Sequence, residues 1–141
     1  MTKKLLIGFI GQGFVGKNYA NDFEKRGFNI VRYDIEKYKN NKNKIKNCDI
    51  VFIAVPTPTT LKGFNLKILK SVFSLIGKNK IAIIKSTIKI GTTRNLQNKF
   101  KKITVMHSPE FLTEKNAAKD AKSPQKNIIG ISLILNSSYL L

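Results

Sequence analysis

The sequence predicts an α/β fold, an open parallel sheet of about six strands with helices on both faces. Three observations predict it. Short apolar runs alternate with segments whose apolar residues recur at helical spacing. The runs are continuously apolar, as expected of strands buried on both faces. Each of the first three ends at a glycine, an aspartate or a proline, residues that stop a strand and begin a turn.

The elements follow in order. Residues 4–10, KLLIGFI, read as the first strand and run directly into glycine. Residues 14–26 carry Val15, Tyr19 and Phe23 four apart, a helix that Gly27 closes. FNIVRY (28–33) is a second strand ending at Asp34, and the lysine-rich stretch after it predicts a short helix. DIVFIAVP (49–56) is a third strand stopped by Pro56. After a loop, Asn65 caps a helix to about Ile76, with Leu66, Leu69, Val72, Phe73 and Ile76 on one side. IAII (81–84) is a fourth strand, Thr92 to Phe100 a helix, and ITVMH (103–107) a fifth strand. A short helix around Phe111–Lys119 and a final strand at 127–134 complete the pattern. Strand–helix alternation implies right-handed βαβ crossovers. No repeat or linker divides the chain, so residues 1–130 are expected to form one domain. Residues 131–141, ISLILNSSYLL, are an apolar tail, the end of the last strand or a truncation product.

Composition bounds the function. A chain of 141 residues, 42% hydrophobic, can bury one core. The single cysteine, Cys48, excludes a disulfide framework and a cysteine-rich zinc site. No 18-residue apolar stretch exists to span a membrane, and the opening MTKKLLIGFIG lacks a small-residue cleavage site. A cytoplasmic protein with no membrane partner is the expectation. The net charge of +18 raises nucleic acid as a partner. Yet 23 of the 26 basic residues are Lys, leaving only Arg26, Arg32 and Arg94 for bidentate readout. Lys, Asn and Ile are what A/T-rich codons encode, so the charge has a source other than a partner. A solvated surface without a specific nucleic acid is expected.

Gly11-Gln12-Gly13-Phe14-Val15-Gly16 is a G-x-G-x-x-G between a buried strand and an amphipathic helix. Gly11 permits the tight turn, Gly13 lets the backbone approach a pyrophosphate, and Gly16 lets helix and strand pack closely. The helix N-terminus offers free N–H groups to the phosphates. Asp34 ends the second strand 18 residues after Gly16, where a carboxylate accepts bonds from both adenosine ribose hydroxyls. It would repel a 2′-phosphate, so the expected cofactor is NAD, bound by a Rossmann-type doubly wound parallel sheet. Lys37 and Lys39 leave some room for NADP.

Further motifs end later strands: Val55-Pro56-Thr57-Pro58, Lys85-Ser86-Thr87 before Gly91-Thr92, and Ser108-Pro109-Glu110-Phe111-Leu112-Thr113-Glu114. Ala118, Asp120, Pro124 and Ile128-Ile129-Gly130 follow. Strand C-terminal ends are where open sheets bind ligands, so these motifs are expected to converge on one crevice. From about Lys4 to Gly130 this set and order resembles the N-terminal domain of the UDP-glucose/GDP-mannose dehydrogenase family. The resemblance implies an NAD-dependent oxidoreductase. Such enzymes oxidise the 6-hydroxymethyl of a nucleotide sugar, UDP-glucose foremost, to a carboxylate through a covalent intermediate on a cysteine. It places Phe14 and Val15 along the cofactor phosphates, Asp34 on the ribose and Lys39 near the adenosine end. Thr57 and Thr87 would border the nicotinamide. Thr87 and Glu114 would place water and cofactor near the reacting carbon, as catalytic and cofactor-binding residues. Glu110, Phe111, Leu112, Thr113 and Glu114 would run beside the sugar substrate. From spacing alone, Glu110 and Glu114 read as two carboxylates on one helix face, where one could deprotonate water or both could simply favour a helix N-terminus.

The departures are specific. The family's nucleophilic cysteine, its catalytic Lys and Asn and its sugar-nucleotide domain have no counterpart here, and Cys48, before the third strand, is no substitute. Lys126 and Thr113 stand where the family often has Arg, and Lys62-Gly63 replaces an Asp-Gly loop. The lone chain is expected not to complete the two-step oxidation, unless a separately encoded C-terminal half supplies the nucleophile. The alternative is a catalytically inactive dinucleotide-binding or interaction remnant.

Overall fold

The computed structural model describes residues 4–132. Its centre is a six-stranded sheet of β1 (Leu6–Ile10), β2 (Asn29–Tyr33), β3 (Ile50–Ile53), β6 (Lys80–Ile84), β7 (Ile103–His107) and β8 (Gly130–Ile131), in the order β2-β1-β3-β6-β7-β8. The first five strands run parallel, and β8 pairs antiparallel with β7. The sheet is therefore doubly wound, as the sequence predicts, but its last strand corrects the all-parallel expectation. The predicted strand over 127–134 is only Gly130–Ile131 among the described residues, and residues 133–141 of the tail lie outside them.

Register decides where the site lies. Tyr33, Ile10, Ile53, Ile84 and His107 sit side by side as one row across the five parallel strands. The next residues, Asp34, Gly11, Ala54, Lys85 and Ser108, leave the sheet together. Their amides continue the ladder for one more rung: Gly11 N to Tyr33 O at 2.9 Å, Ala54 N to Ile10 O at 2.8 Å, Lys85 N to Ile53 O at 2.7 Å and Ser108 N to Ile84 O at 2.9 Å. The chain turns one way from β1 to β2 and the other way to β3, so the β1–β3 seam is the topological switch point.

Side chains alternate between two cores. Ile7, Phe9 and Phe52 face helix α1 (Phe14–Lys25), meeting Ala20, Tyr19 and Phe23. Phe9 stacks on Phe52 at 5.1 Å between ring centroids and meets Phe23 edge-on at 5.5 Å. Ile10, Val51 and Ile53 face the larger core, with Leu69 and Val72 of α2 (Lys67–Val72), Leu96 of α3 (Thr92–Lys99) and Ile45. Gly8 also faces this core, where a Cβ would come within 3.0 Å of the Cys48 sulfur.

Several predicted boundaries shift for local reasons. The lysine-rich helix is a 3-10 segment, Lys39–Asn47, anchored by the fully buried Ile45. β3 stops at Ile53 rather than at Pro56, because Val55 turns to bond Ser86 instead of a neighbouring strand. The loop after Pro58 contains a hairpin, β4 (Thr59–Thr60) and β5 (Gly63–Phe64), with Gly63 at φ +98°. Asn65 accepts the Lys67 amide at 3.1 Å in a local turn, but the N-cap of the helix is Leu66 rather than Asn65, and the helix tightens to 3-10 over Phe73–Leu75. The segment predicted as a helix over Phe111–Lys119 begins only at Glu114, as a 3-10 turn (Glu114–Asn116) leading into α4 (Ala117–Lys122), which packs on α1. Glu110 therefore precedes any helix, and Glu110 and Glu114 do not share a helix face. Among the described residues, no helix is long and apolar enough to cross a membrane.

The double-sided core makes a simple demand. Phe9→Ala is expected to lower unfolding stability by about 3–5 kcal/mol, read from urea denaturation. A loss below about 1 kcal/mol would mean that the Phe9–Phe52–Phe23 cluster does not hold α1 to the sheet.

Candidate cofactor and substrate cleft

The row of strand ends opens into a cleft of about 840 Å³. Its walls include Gly11, Gly13, Phe14, Val15, Asp34, Thr57, Thr87, Glu110, Leu112 and Glu114. The three polar motifs that end β3, β6 and β7 thus meet the glycine loop in one crevice. Gly16 lies beneath it. Lys39, in the 3-10 segment, is exposed and lines neither this cleft nor its apolar neighbour; Lys37 lines the first and Lys42 the second. Phe111 and Thr113 line a separate cavity of about 390 Å³, which shares Lys85, Glu110 and Leu112 with the cleft.

Each glycine of the loop has its own reason. Gly11 sits at φ +89°, and a Cβ there would collide with the Ala54 carbonyl. A Cβ on Gly16 would collide with the Gly11 carbonyl, so the helix seats directly on the turn. Gly13 is different: a Cβ there would meet nothing within 4 Å. It precedes α1 with no side-chain cap, so the first amides of the helix remain unsatisfied at the cleft wall. A ligand phosphate fits that place.

Asp34 ties the two sides of the loop. One carboxylate oxygen accepts the Gln12 amide at 2.9 Å and the other the Glu36 amide at 2.9 Å. The Glu36 amide, with smaller help from Gln12 and Lys37, holds its carboxyl below the usual carboxylate value. It stays anionic, with lone pairs left over for further donors. Gln12, buried, returns a bond to Gly11 O at 3.0 Å and accepts from Arg32 at 3.1 Å, while Arg32 pairs with Glu24 at 2.8 Å. An apolar cavity of about 350 Å³ continues past Asp34, lined by Ile10, Tyr33, Val72 and Leu75 among others.

The opposite wall is cross-tied. Ser86 Oγ accepts the Val55 amide at 3.0 Å and donates to Val55 O at 2.7 Å. Thr57 Oγ1 donates to Thr87 O at 2.7 Å. Lys85 Nζ donates to Ser108 Oγ at 3.2 Å and lies 3.3 Å from Glu110 Oε2. Glu110 Oε1 accepts from the Phe111 amide at 2.8 Å, the Leu112 amide at 2.7 Å and Tyr19 Oη at 3.2 Å. Burial holds the Lys85 ammonium below its ordinary value against the opposing pull of Glu110, and burial first, then Glu110, pushes the Tyr19 hydroxyl far up. Thr113 gives both its amide and its hydroxyl to Asp120, at 3.0 and 2.7 Å. Glu114 and Thr87 are exposed, and neither side chain has a hydrogen-bond or ionic partner among the described residues.

Tyr19, Gln12, Lys85 and Ser86 are the participants to which sequence reasoning gave no role at the site. Tyr19 counted only as an apolar member of the helix stripe, and only its hydroxyl could have signalled a polar role.

The sequence match assigns the family. Residues 38–134 match the model described as UDP-glucose/GDP-mannose dehydrogenase family, NAD binding domain. The chain belongs to that family. The matched segment begins just after Asp34, so the glycine loop lies outside it. The UDP-glucose 6-dehydrogenase of Campylobacter jejuni is 34% identical over 105 residues, covering 70% of this chain and 26% of that protein. A UDP-glucose dehydrogenase from Pyrobaculum islandicum shares the fold with a TM-score of 0.79 at 21% identity, over 99% of this chain and 43% of that one. A GDP-mannose dehydrogenase from Pseudomonas aeruginosa gives 0.75 at 22% identity, over 89% of this chain and 41% of that one. The chain spans 19% and 26% of the length of the first two curated relatives it matches. What it carries is the NAD-binding domain of a family of NAD-dependent dehydrogenases, and the open Gly13 position, the uncapped α1 amides and the anionic Asp34 fit that cofactor.

The Ser86 tie is the simplest one to remove. Ser86→Ala leaves the buried Val55 amide without its partner and is expected to cost about 1–3 kcal/mol of unfolding stability. A change below about 0.5 kcal/mol in thermal or urea unfolding would contradict that role.

Proposed function

We propose that this domain binds NAD for the oxidation of the 6-hydroxymethyl group of a nucleotide sugar, UDP-glucose foremost, to a carboxylate. One observation carries the reading. A single cleft joins the open glycine turn and Asp34 at one end to Thr57, Thr87 and Glu114 at the other.

The residues divide the work along that cleft. The apolar cavity beside Tyr33 and Leu75 would take the adenine. Asp34 would accept the adenosine ribose hydroxyls and repel a 2′-phosphate, while Lys37 replaces Lys39 as the cation at that end. The α1 amides at Phe14 and Val15 would hold the pyrophosphate, with Gly13 leaving room for it. Bound there, the nicotinamide ring supplies a hydride acceptor. Thr57 is fixed by its bond to Thr87 O, and the unpartnered Thr87 hydroxyl is free to orient the sugar alcohol or a water. Glu114, exposed and unpaired among the described residues, would accept the proton that the alcohol loses. Leu112 would border the sugar, with the backbone of 110–114 beside it.

The second oxidation needs a nucleophile to hold the aldehyde. Cys48 does not qualify: it is buried before β3, away from the cleft, and burial pushes its thiol up to about 11. A separately encoded partner carrying that nucleophile would complete the reaction.

Calorimetric titration with NAD and NADP tests the reading. Wild type is expected to bind NAD better than NADP, and Asp34→Ala to weaken NAD by roughly tenfold or more, as loss of charge-assisted bonds does. Absence of binding by a chain shown to be folded would give the lead to the inactive remnant.

A further inference from the structure

The Tyr19–Lys85–Glu110 cluster fits none of the roles assigned so far. From the family resemblance, Glu110 is expected beside the substrate. In the structure its carboxylate is already engaged. Oε1 takes three donors, from Phe111, Leu112 and Tyr19, and Oε2 faces the Lys85 ammonium at 3.3 Å. Oε1 is saturated by its three donors, while Oε2 accepts no hydrogen bond but is buried with only the Lys85 ammonium before it, so a sugar hydroxyl has no access to it. The Glu110 side chain is 14% exposed and that of Lys85 only 6%. The Lys85 ammonium also lies 4.5 Å from the centre of the Tyr19 ring, a cation–π contact that strengthens when desolvated.

The three residues come from three different parts of the site. Tyr19 lies on α1, the helix whose first amides face the cleft. Lys85 is the first residue beyond β6, and Glu110 belongs to the loop beyond β7. We infer that Lys85 and Tyr19 are positioning residues that lock Glu110 as an internal latch. The latch fixes the 108–114 loop to the cofactor-binding helix and sets Leu112 and Glu114 at the nicotinamide end of the cleft. Glu110 holds the loop, and Glu114 is left as the carboxylate available for chemistry. The pair also forms the partition between the cleft and the 390 Å³ cavity, since Lys85 and Glu110 line both.

The assignment of the nicotinamide end rests on the proposed NAD reading, whereas the latch itself does not. The ligands are therefore chosen to separate the two. ADP-ribose carries the adenosine, pyrophosphate and ribose of NAD but lacks the nicotinamide. Lys85→Met leaves the Glu110 charge buried without its counterion, and Lys85→Met combined with Glu110→Gln removes both charges while keeping an acceptor for the Phe111 and Leu112 amides. Tyr19→Phe removes one donor and keeps the ring, which covers the case in which Lys85→Met fails to fold.

Amide hydrogen exchange at Phe111 and Leu112 is expected to accelerate by roughly tenfold in Lys85→Met and less in Tyr19→Phe, and to return toward wild type in the double variant. NAD affinity is expected to fall by a similar roughly tenfold factor in Lys85→Met while ADP-ribose affinity stays unchanged, because only the loop end has moved. Unchanged exchange at both amides in every variant that folds would overturn the latch. So would an equal loss of NAD and ADP-ribose affinity, which is the mark of general destabilisation. If wild type binds neither ligand, the NAD reading fails alone, and the exchange pattern decides the latch.

Discussion

The site depends on strand register. Tyr33, Ile10, Ile53, Ile84 and His107 form one row, so five strands release their chains at the same level of the sheet. A slip of one residue in any strand would turn its apolar side chains into the wrong core and carry its terminal loop out of the cleft. The two cores enforce the register: Phe9 and Phe52 can pack only toward α1, and Ile10 and Ile53 only toward α2 and α3. Beyond the row, side chains hold neighbouring loops together. Asp34 reaches the Gln12 amide, Ser86 the Val55 backbone, and Lys85 both Ser108 and Glu110. The β1–β3 seam is instead closed by backbone contact at Gly11 and Gly16. That seam is where the sheet reverses its winding, the place at which open α/β sheets take their ligands.

Charge is distributed unevenly over a strongly basic chain. Most of the 26 basic residues are lysines on the surface, and they say little about function. The informative charges are the few held in fixed places. Backbone amides keep Asp34 anionic beside the glycine turn. At the far end Lys85 and Glu110 neutralise each other in a buried pair, which leaves Glu114 exposed. A carboxylate whose partners are all internal organises structure, whereas one without partners can exchange a proton with substrate.

Much of this was legible in the sequence, since continuous apolar runs and glycine spacing are local signals. β1, α1, β2 and the turn between them follow from KLLIGFIGQGFVG and Asp34, and the three strand-end motifs do converge as their positions imply. Long-range choices were less legible. The antiparallel β8 depends on which edge of β7 is free, not on the residues of the strand itself. β3 ends early because Ser86, 31 residues away, captures the Val55 backbone. Glu110 and Glu114 have helical spacing, yet Glu110 is drawn inward by Tyr19 and Lys85, from 91 and 25 residues away, and it folds its own loop around Oε1. Lys39 and Lys37 are indistinguishable by spacing, and only the 3-10 segment separates them.

The central claim is that the glycine turn and the strand-end motifs form one cofactor cleft. The most direct test is an amide NMR titration of the labelled domain with NAD. Shifts are expected at Gly11 to Val15, at Ile35 and Glu36 beside Asp34, and at Thr57, Thr87, Leu112 and Glu114, along one continuous path. Shifts confined to the exposed lysines around Lys39–Lys46, with the glycine turn unmoved, would contradict it.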